Sequence, residues 1–279
     1  MKAKKKPTRI KQKIREEKKR RQHIVFAIAI LIAVISVSGF VVNSMLNQAT
    51  NPAYHFKAAI VDQLSLTFPN QTFIEKATNT LKQAGYTVDY YPGEQVTVEF
   101  YRNLPTHGYG LIIFRVHAAI NPYGKYTTLF TSESYSQTKY VGEQLDDRFG
   151  IVQFLPYNEG DPKYFGIPPR FIAYSMNGRF QKTIIIVMGC NGLTYTSTAE
   201  AFIEKGASVY VSWNGSISGT LNDLAITCLL QRLIPEKQTI KEAVADAMRE
   251  FGPSLTDSSV LQYYPLEAGE QSIDNIVGN

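Results

Sequence analysis

The sequence predicts an α/β domain: a three-layer sandwich with a mostly parallel central sheet of about five or six strands, preceded by one transmembrane helix. Three observations carry this. Residues 24–46 run without a charged side chain, long enough for an α-helix to cross a hydrocarbon layer ~30 Å thick. Beyond them, short runs that are apolar at nearly every position alternate with segments of helical period, the pattern of a parallel sheet covered on both faces. Three S/T-x-x-E sequences mark helix starts between those runs.

The first segment, residues 1–23, is a basic tail whose twelve Lys and Arg face only Glu16 and Glu17. It is too charged to bury a core and reads as a solvated arm. Residues 24–46 follow as an uncleaved anchor. The run is longer than the apolar part of a signal peptide, and no A-x-A site follows it in residues 47–56, the linker. The cationic block before the span places the N-terminus in the cytoplasm, which predicts a single-pass plasma-membrane protein with its C-terminal domain outside the cytoplasm. Subtracting the tail from the chain's 29 bases and 24 acids leaves 17 bases against 22 acids. The net charge of +5 is therefore a property of the tail. No nucleic-acid partner is expected; the bilayer is the partner of residues 24–46, and the tail is expected to fix topology, with anionic lipid headgroups rather than nucleic acid as the surface it would touch.

Residues 57–265 are expected to be one domain and residues 266–279 a polar tail. Residues 57–63 read as a buried strand. A helix follows, with Thr72 and Glu75 as a capping box, Phe73, Ala77, Leu81 and Ala84 on one face, and Gly85 as its stop. Residues 86–91 give a second strand, 96–104 a short helix, and 111–117 (LIIFRVH) a third strand. After a hairpin-like excursion with long loops, residues 183–189 (TIIIVMG) resume the sheet. Ser197 and Glu200 then open a helix closed by Gly206, and SVYVSW is the next strand. Two helices complete the pattern: one with Leu221, Leu224, Ala225, Cys228 and Leu229 on a face, the other opening on Thr239 and Glu242.

In such a sheet, ligands bind beyond the carboxyl ends of the strands. His117 ends one apolar strand and Cys190 follows another, so two reactive side chains reach the same edge. Together they can perform acyl transfer: the imidazole takes the thiol proton, sulfur attacks a carbonyl, and the imidazolium protonates the leaving amine. Gly189 and Gly192 would let the backbone turn sharply beside the nucleophile. A packed core histidine and cysteine is the competing reading, as is a disulfide between Cys190 and Cys228, the chain's two cysteines.

FRVHAA, IIIVMGCNGL, AEAFIEKGASVYVSW and TIKEAVADAM resemble the caspase-like cysteine peptidases, especially the branch of gingipains, clostripain, separases and CHAT domains. The resemblance spans residues 57–251, its specific part being 184–213 with His117. It implies Cys190 as nucleophile, His117 as general acid, and the N–H groups of Ala118 and Cys190 as oxyanion donors. It also implies Trp213 and Asn214 near the pocket for the residue before the scissile bond, and a polypeptide substrate. Two positions depart from the family pattern. Ala118 stands where the family has Gly, and Met188 where it often has an acid. An inactive descendant that binds a protein partner is the alternative, and a sensor domain signalling through the basic tail is a third.

Asp62, ending the first strand, and Asp223, opening a helix, are candidates to present a carboxylate to a basic substrate side chain. His107 in THGYG lies before its strand and should emerge at the opposite edge. With no C-x-x-C, H-E-x-x-H or Gly-rich phosphate loop, neither metal nor cofactor is expected. Asn70 and Asn214 match glycosylation sequons.

Overall fold

The computed structural model describes residues 56–279 apart from 122, 155–157, 159, 256 and 279. The predicted tail and anchor lie outside the described residues. Among the described residues no helix is long and apolar enough to cross a membrane.

In chain order the elements are β1 (Lys57–Asp62), α1 (Gln71–Gln83), β2 (Thr87–Pro92), α2 (Val98–Asn103), β3 (Leu111–Arg115), β4 (Ala118–Asn121) and β5 (Tyr126–Ser134). Then come α3 (Val141–Leu145), β6 (Gly150–Val152), β7 (Tyr164–Ile167), α4 (Pro169–Ser175), β8 (Thr183–Val187), α5 (Ser197–Glu204) and β9 (Ala207–Trp213). The chain closes with α6 (Gly219–Leu233), α7 (Ile240–Phe251), β10 (Leu261–Tyr264) and α8 (Ile273–Val277).

Six strands form one sheet in the order β10-β9-β8-β3-β1-β2, parallel except for β10. The continuous apolar runs follow from burial on both sides. In β1, β3, β8 and β9, Ala58, Ile60, Ile113, Ile186 and Val211 pack on one face against α1, α6 and α7. The alternate residues Val61, Phe114, Val187 and Tyr210 pack on the other face with α2, α4 and α5. This period of two, with neither face wet, requires an apolar residue at every position.

The excursion between β3 and β8 is more than a hairpin. It forms a second, antiparallel sheet in the order β4-β5-β7-β6, and Leu129, Phe165 and Ile167 of that sheet join the second core face.

Three sequence expectations need correction. Asn70, not Thr72, caps α1: its Oδ1 accepts from Phe73 N at 3.1 Å. Ser197 makes no box either, because its hydroxyl donates to Lys125 O at 2.9 Å while Thr196 precedes the helix. At α1 an equally suitable capping residue two places earlier starts the helix sooner, while at α5 the Thr196 hydroxyl donates to Glu200 Oε1 at 2.7 Å and makes no cap bond to the backbone. Only Thr239 and Glu242 form the reciprocal box, with Thr239 N donating to Glu242 Oε2 at 3.0 Å.

The third correction concerns residues 266–279, which are not an external tail. Ala268, Ile273 and Ile276 are buried in the first core face, and a short helix is enough to deliver the last two. Ile273→Ala is therefore expected to lower unfolding stability by about 2–4 kcal/mol, read as a fall in the urea midpoint. An unchanged midpoint would return these residues to the role of a tail.

Candidate active site

The strand order reverses at β1, with β2 on one side and β3 on the other, so a crevice opens beyond the carboxyl ends of these strands. Its floor is ionic. Arg115, the last residue of β3, is fully buried, and its Nη1 reaches Asp62 Oδ1 at 2.8 Å. Its Nε and Nη2 reach the two oxygens of Asp223 at 2.8 and 2.9 Å. Nη2 also donates to Phe68 O at 2.8 Å. Asn70 Nδ2 and Tyr90 OH add bonds to Asp223 and Asp62. Burial pushes Asp62 above the ordinary carboxylate range against the pull of Arg115. Burial also opposes the guanidinium charge, but the bonds from Asp223 and Asp62 outweigh it and hold the Arg115 pKa above its usual value.

Asp62 and Asp223 thus do not offer carboxylates to a substrate, as expected from sequence; both are committed to Arg115. A single Arg inside an otherwise apolar strand was the signal that could have exposed this, since a buried guanidinium demands acids.

Two residues beyond Arg115 stands His117. Its N–H donates to Gln63 Oε1 at 3.0 Å, and its Nε2 lies 2.9 Å from Thr67 Oγ1. Phe130 and Phe154 pack against the ring at 5.8 and 4.8 Å between centroids. This desolvation, with Arg115 nearby, depresses its pKa to about 4. The imidazole is therefore neutral near pH 7.

Cys190 follows β8, the strand next to β3, and is partly exposed with a free thiol. Its Sγ lies 3.6 Å from Ile217 O. Cys190, His117 and Thr67 together line two hollows, of about 570 and 310 Å³. The thiol and imidazole hence face common space, each resting on a different partner.

The glycines beside the thiol act by size. A Cβ on Gly189 would stand 2.7 Å from Ala118 Cβ and 3.0 Å from Val116 O, so only Gly lets the two loops touch. Likewise a Cβ on Gly192 would meet the Ser212 side chain. The sharp turn expected of them is made instead by Asn191, at φ +60°. Ala118 lies in β4, outside the residues with positive φ, so a side chain there brings no backbone strain.

Register also frees the Ala118 amide. Ala118 is opposite Leu129, and Phe130 N donates to His117 O at 3.0 Å. That makes Ala118 and Leu129 a non-hydrogen-bonded pair, which turns the Ala118 N–H away from β5; Ala118 and Cys190 line the larger hollow together.

Trp213 and Asn214 do not line the two hollows. Trp213 is fully buried, donating Nε1 to Asn222 Oδ1 at 2.9 Å. Asn214 Oδ1 accepts from Val260 N at 2.8 Å. Ser216, Ile217, Gln153 and Phe154 line the cleft instead; they sit in irregular loops with no periodic signal. Both sequon amides are engaged in the fold, Asn70 with Phe73 and Asp223, Asn214 with Val260. Cys228 is buried with its Sγ 3.3 Å from Glu250 Oε2, and both cysteines are free rather than bridged. His107 lies ahead of β3, at the opposite edge, packed on Tyr109.

Neither models of known protein families nor curated proteins give a match to this chain.

Two outcomes follow from the geometry. Asp223→Ala leaves Arg115 short of two bonds inside the protein and is expected to cost about 3–5 kcal/mol, measured by chemical denaturation. In NMR titration, the His117 ring should remain neutral until the pH falls to about 4. Its folded pKa lies below the ~6.5 of an unfolded chain, so its contribution to stability is present above that value and lost as pH falls through about 4. A ring titrating near 6.5 would contradict the desolvation argument.

Proposed function

We propose that this is a caspase-like cysteine endopeptidase, carried on a single-pass membrane anchor formed by residues 24–46, with its domain outside the cytoplasm. The observation that carries the reading is the delivery of Cys190 and His117 by neighbouring parallel strands to shared hollows. The charge-free span and the basic segment before it support the anchor and its orientation.

In this reading a bound peptide displaces the resting bond between the Cys190 thiol and Ile217 O. The thiol proton passes to neutral His117 as sulfur bonds to the scissile carbonyl carbon, and the oxygen's developing negative charge is met by the Ala118 and Cys190 N–H groups. The imidazolium then protonates the leaving amine as the C–N bond breaks. Water, deprotonated by His117, attacks the thioester, and the acid product leaves with the thiol restored. A neutral imidazole suits the first step, because a protonated ring has no lone pair for the thiol proton.

One observation favours a second reading, an inactive binding module: the thiol and imidazole rest on Ile217 and Thr67 rather than on each other. The two are separable. Cys190→Ala should reduce peptide hydrolysis by the full chain to background while leaving the unfolding midpoint unchanged. Undiminished hydrolysis would sink the peptidase proposal. Absent turnover, together with a protein partner captured equally by wild type and variant, would establish the binding module.

A further inference from the structure

Resting on the peptidase reading, we propose a substrate class for the cleft: an extended peptide paired along the edge of β4 that puts an uncharged, apolar side chain into the hollow beside Cys190. The hollow measures about 310 Å³, within the range that encloses small ligands. Leu64, Phe68, Val116, Met188 and Ile217 supply its apolar walls. Its polar wall groups are already engaged. Asn222 accepts from Trp213 and donates to Met188 O, and Thr67 is bonded to His117.

Charge is missing from this surface. Among the described residues lining the hollow none is an acid or a base apart from His117, which is neutral near pH 7. Arg115, two residues before His117, is enclosed by two carboxylates. A substrate Arg, Lys, Asp or Glu entering here would be desolvated without a partner, whereas Leu, Met or Phe would lose only water-exposed apolar area. Burying an apolar side chain favours binding by roughly 1.5–3 kcal/mol, which sets the preferred class.

The backbone of such a peptide has a matching surface. β4 is an outer strand of the second sheet, and no described strand pairs with its far side. Ala118–Leu129 is a non-hydrogen-bonded pair, and two residues on, Ile120–Thr127 is another. The Thr127 N–H and O confirm the phase, since both turn away to the Thr198 hydroxyl, at 3.2 and 2.7 Å. The C=O of Ala118 and both backbone groups of Ile120 therefore point to the outer edge of β4. These can hold an added strand while Ala118 N–H remains for the oxyanion. A larger hollow continues past Ile120 and Phe130, so the peptide has room to extend beyond the thiol.

The test compares acetylated Ala-Ala-X peptides carrying a fluorogenic amide, with X as Leu, Met, Arg or Asp, on the full chain in detergent. Leu and Met should exceed Arg and Asp in kcat/KM by at least about tenfold. Ile217→Glu should raise the Arg-to-Leu ratio by a similar factor. Preferred cleavage after Arg or Asp, or equal rates for all four, overturns the pocket assignment while leaving the peptidase reading intact. Should no peptide be cleaved, calorimetric binding of uncleaved Ala-Ala-X-Ala peptides to Cys190→Ala decides. Tighter binding of X as Leu or Met then upholds the pocket although the peptidase reading has failed; no such preference overturns it.

Discussion

Arg115 and its two carboxylates are the constraint on which the rest of the cleft depends. The guanidinium ties the end of β1 through Asp62, the start of α6 through Asp223, and the segment before α1 through Phe68 O. Those three elements approach the end of β3 from one face of the sheet and from its neighbouring strand. A planar fork with five donors can hold all of them in one geometry, which an ammonium on a flexible stem could not. Buried ion triads add little net stability against well-packed apolar groups. Its value here lies in fixing positions, because removing any one member strands the others without water.

That fixed floor determines what the groups above it can be. His117 stands two residues past Arg115 and feels both its positive charge and the loss of water. Both effects oppose a proton on the ring. A cleft floored by a free Arg would repel basic side chains and draw acidic ones, whereas Arg115 matched by Asp62 and Asp223 presents no unbalanced cation. The same surroundings thereby keep the imidazole neutral near pH 7, and the matched charges leave the adjoining hollow without an unbalanced ion. The neutral ring owes more to burial, where Phe130 and Phe154 pack on it, than to the charge of Arg115.

The sheet was legible because burial on both faces writes itself into every residue of β1, β3 and β8. The edge to which His117 and Cys190 emerge followed from strand direction alone. What escaped was set by neighbours distant in sequence. Asp62 and Asp223 looked available because nothing local reveals that a guanidinium from β3 lies between them, although Arg115 in FRVH was itself the clue. Asn70 capped α1 because it also serves Asp223, a requirement outside any local capping rule. The final residues read as polar, since Ile273 and Ile276 are two apolar positions in a short acidic stretch, too few for a period to register. Trp213, expected near the pocket wall, is buried behind it: its indole N–H is bonded to Asn222, which lines the hollow.

The second sheet explains why the site is assembled from unlike parts. The parallel strands end where Cys190 and His117 must stand, but parallel strands inside a sheet have no free backbone edge to offer a peptide. β4 begins at Ala118, the residue after His117, and turns that backbone into an antiparallel edge. Gly189 is the joint between the two systems, since a single methyl there would push Ala118 away from the loop bearing Cys190. The contact between residues 189 and 118 thus links the part that could hold a peptide backbone to the part that could attack it. Losing it would separate the Ala118 and Cys190 N–H groups before it disturbed either strand, because the buried β3 and β8 ladders end before these loops begin.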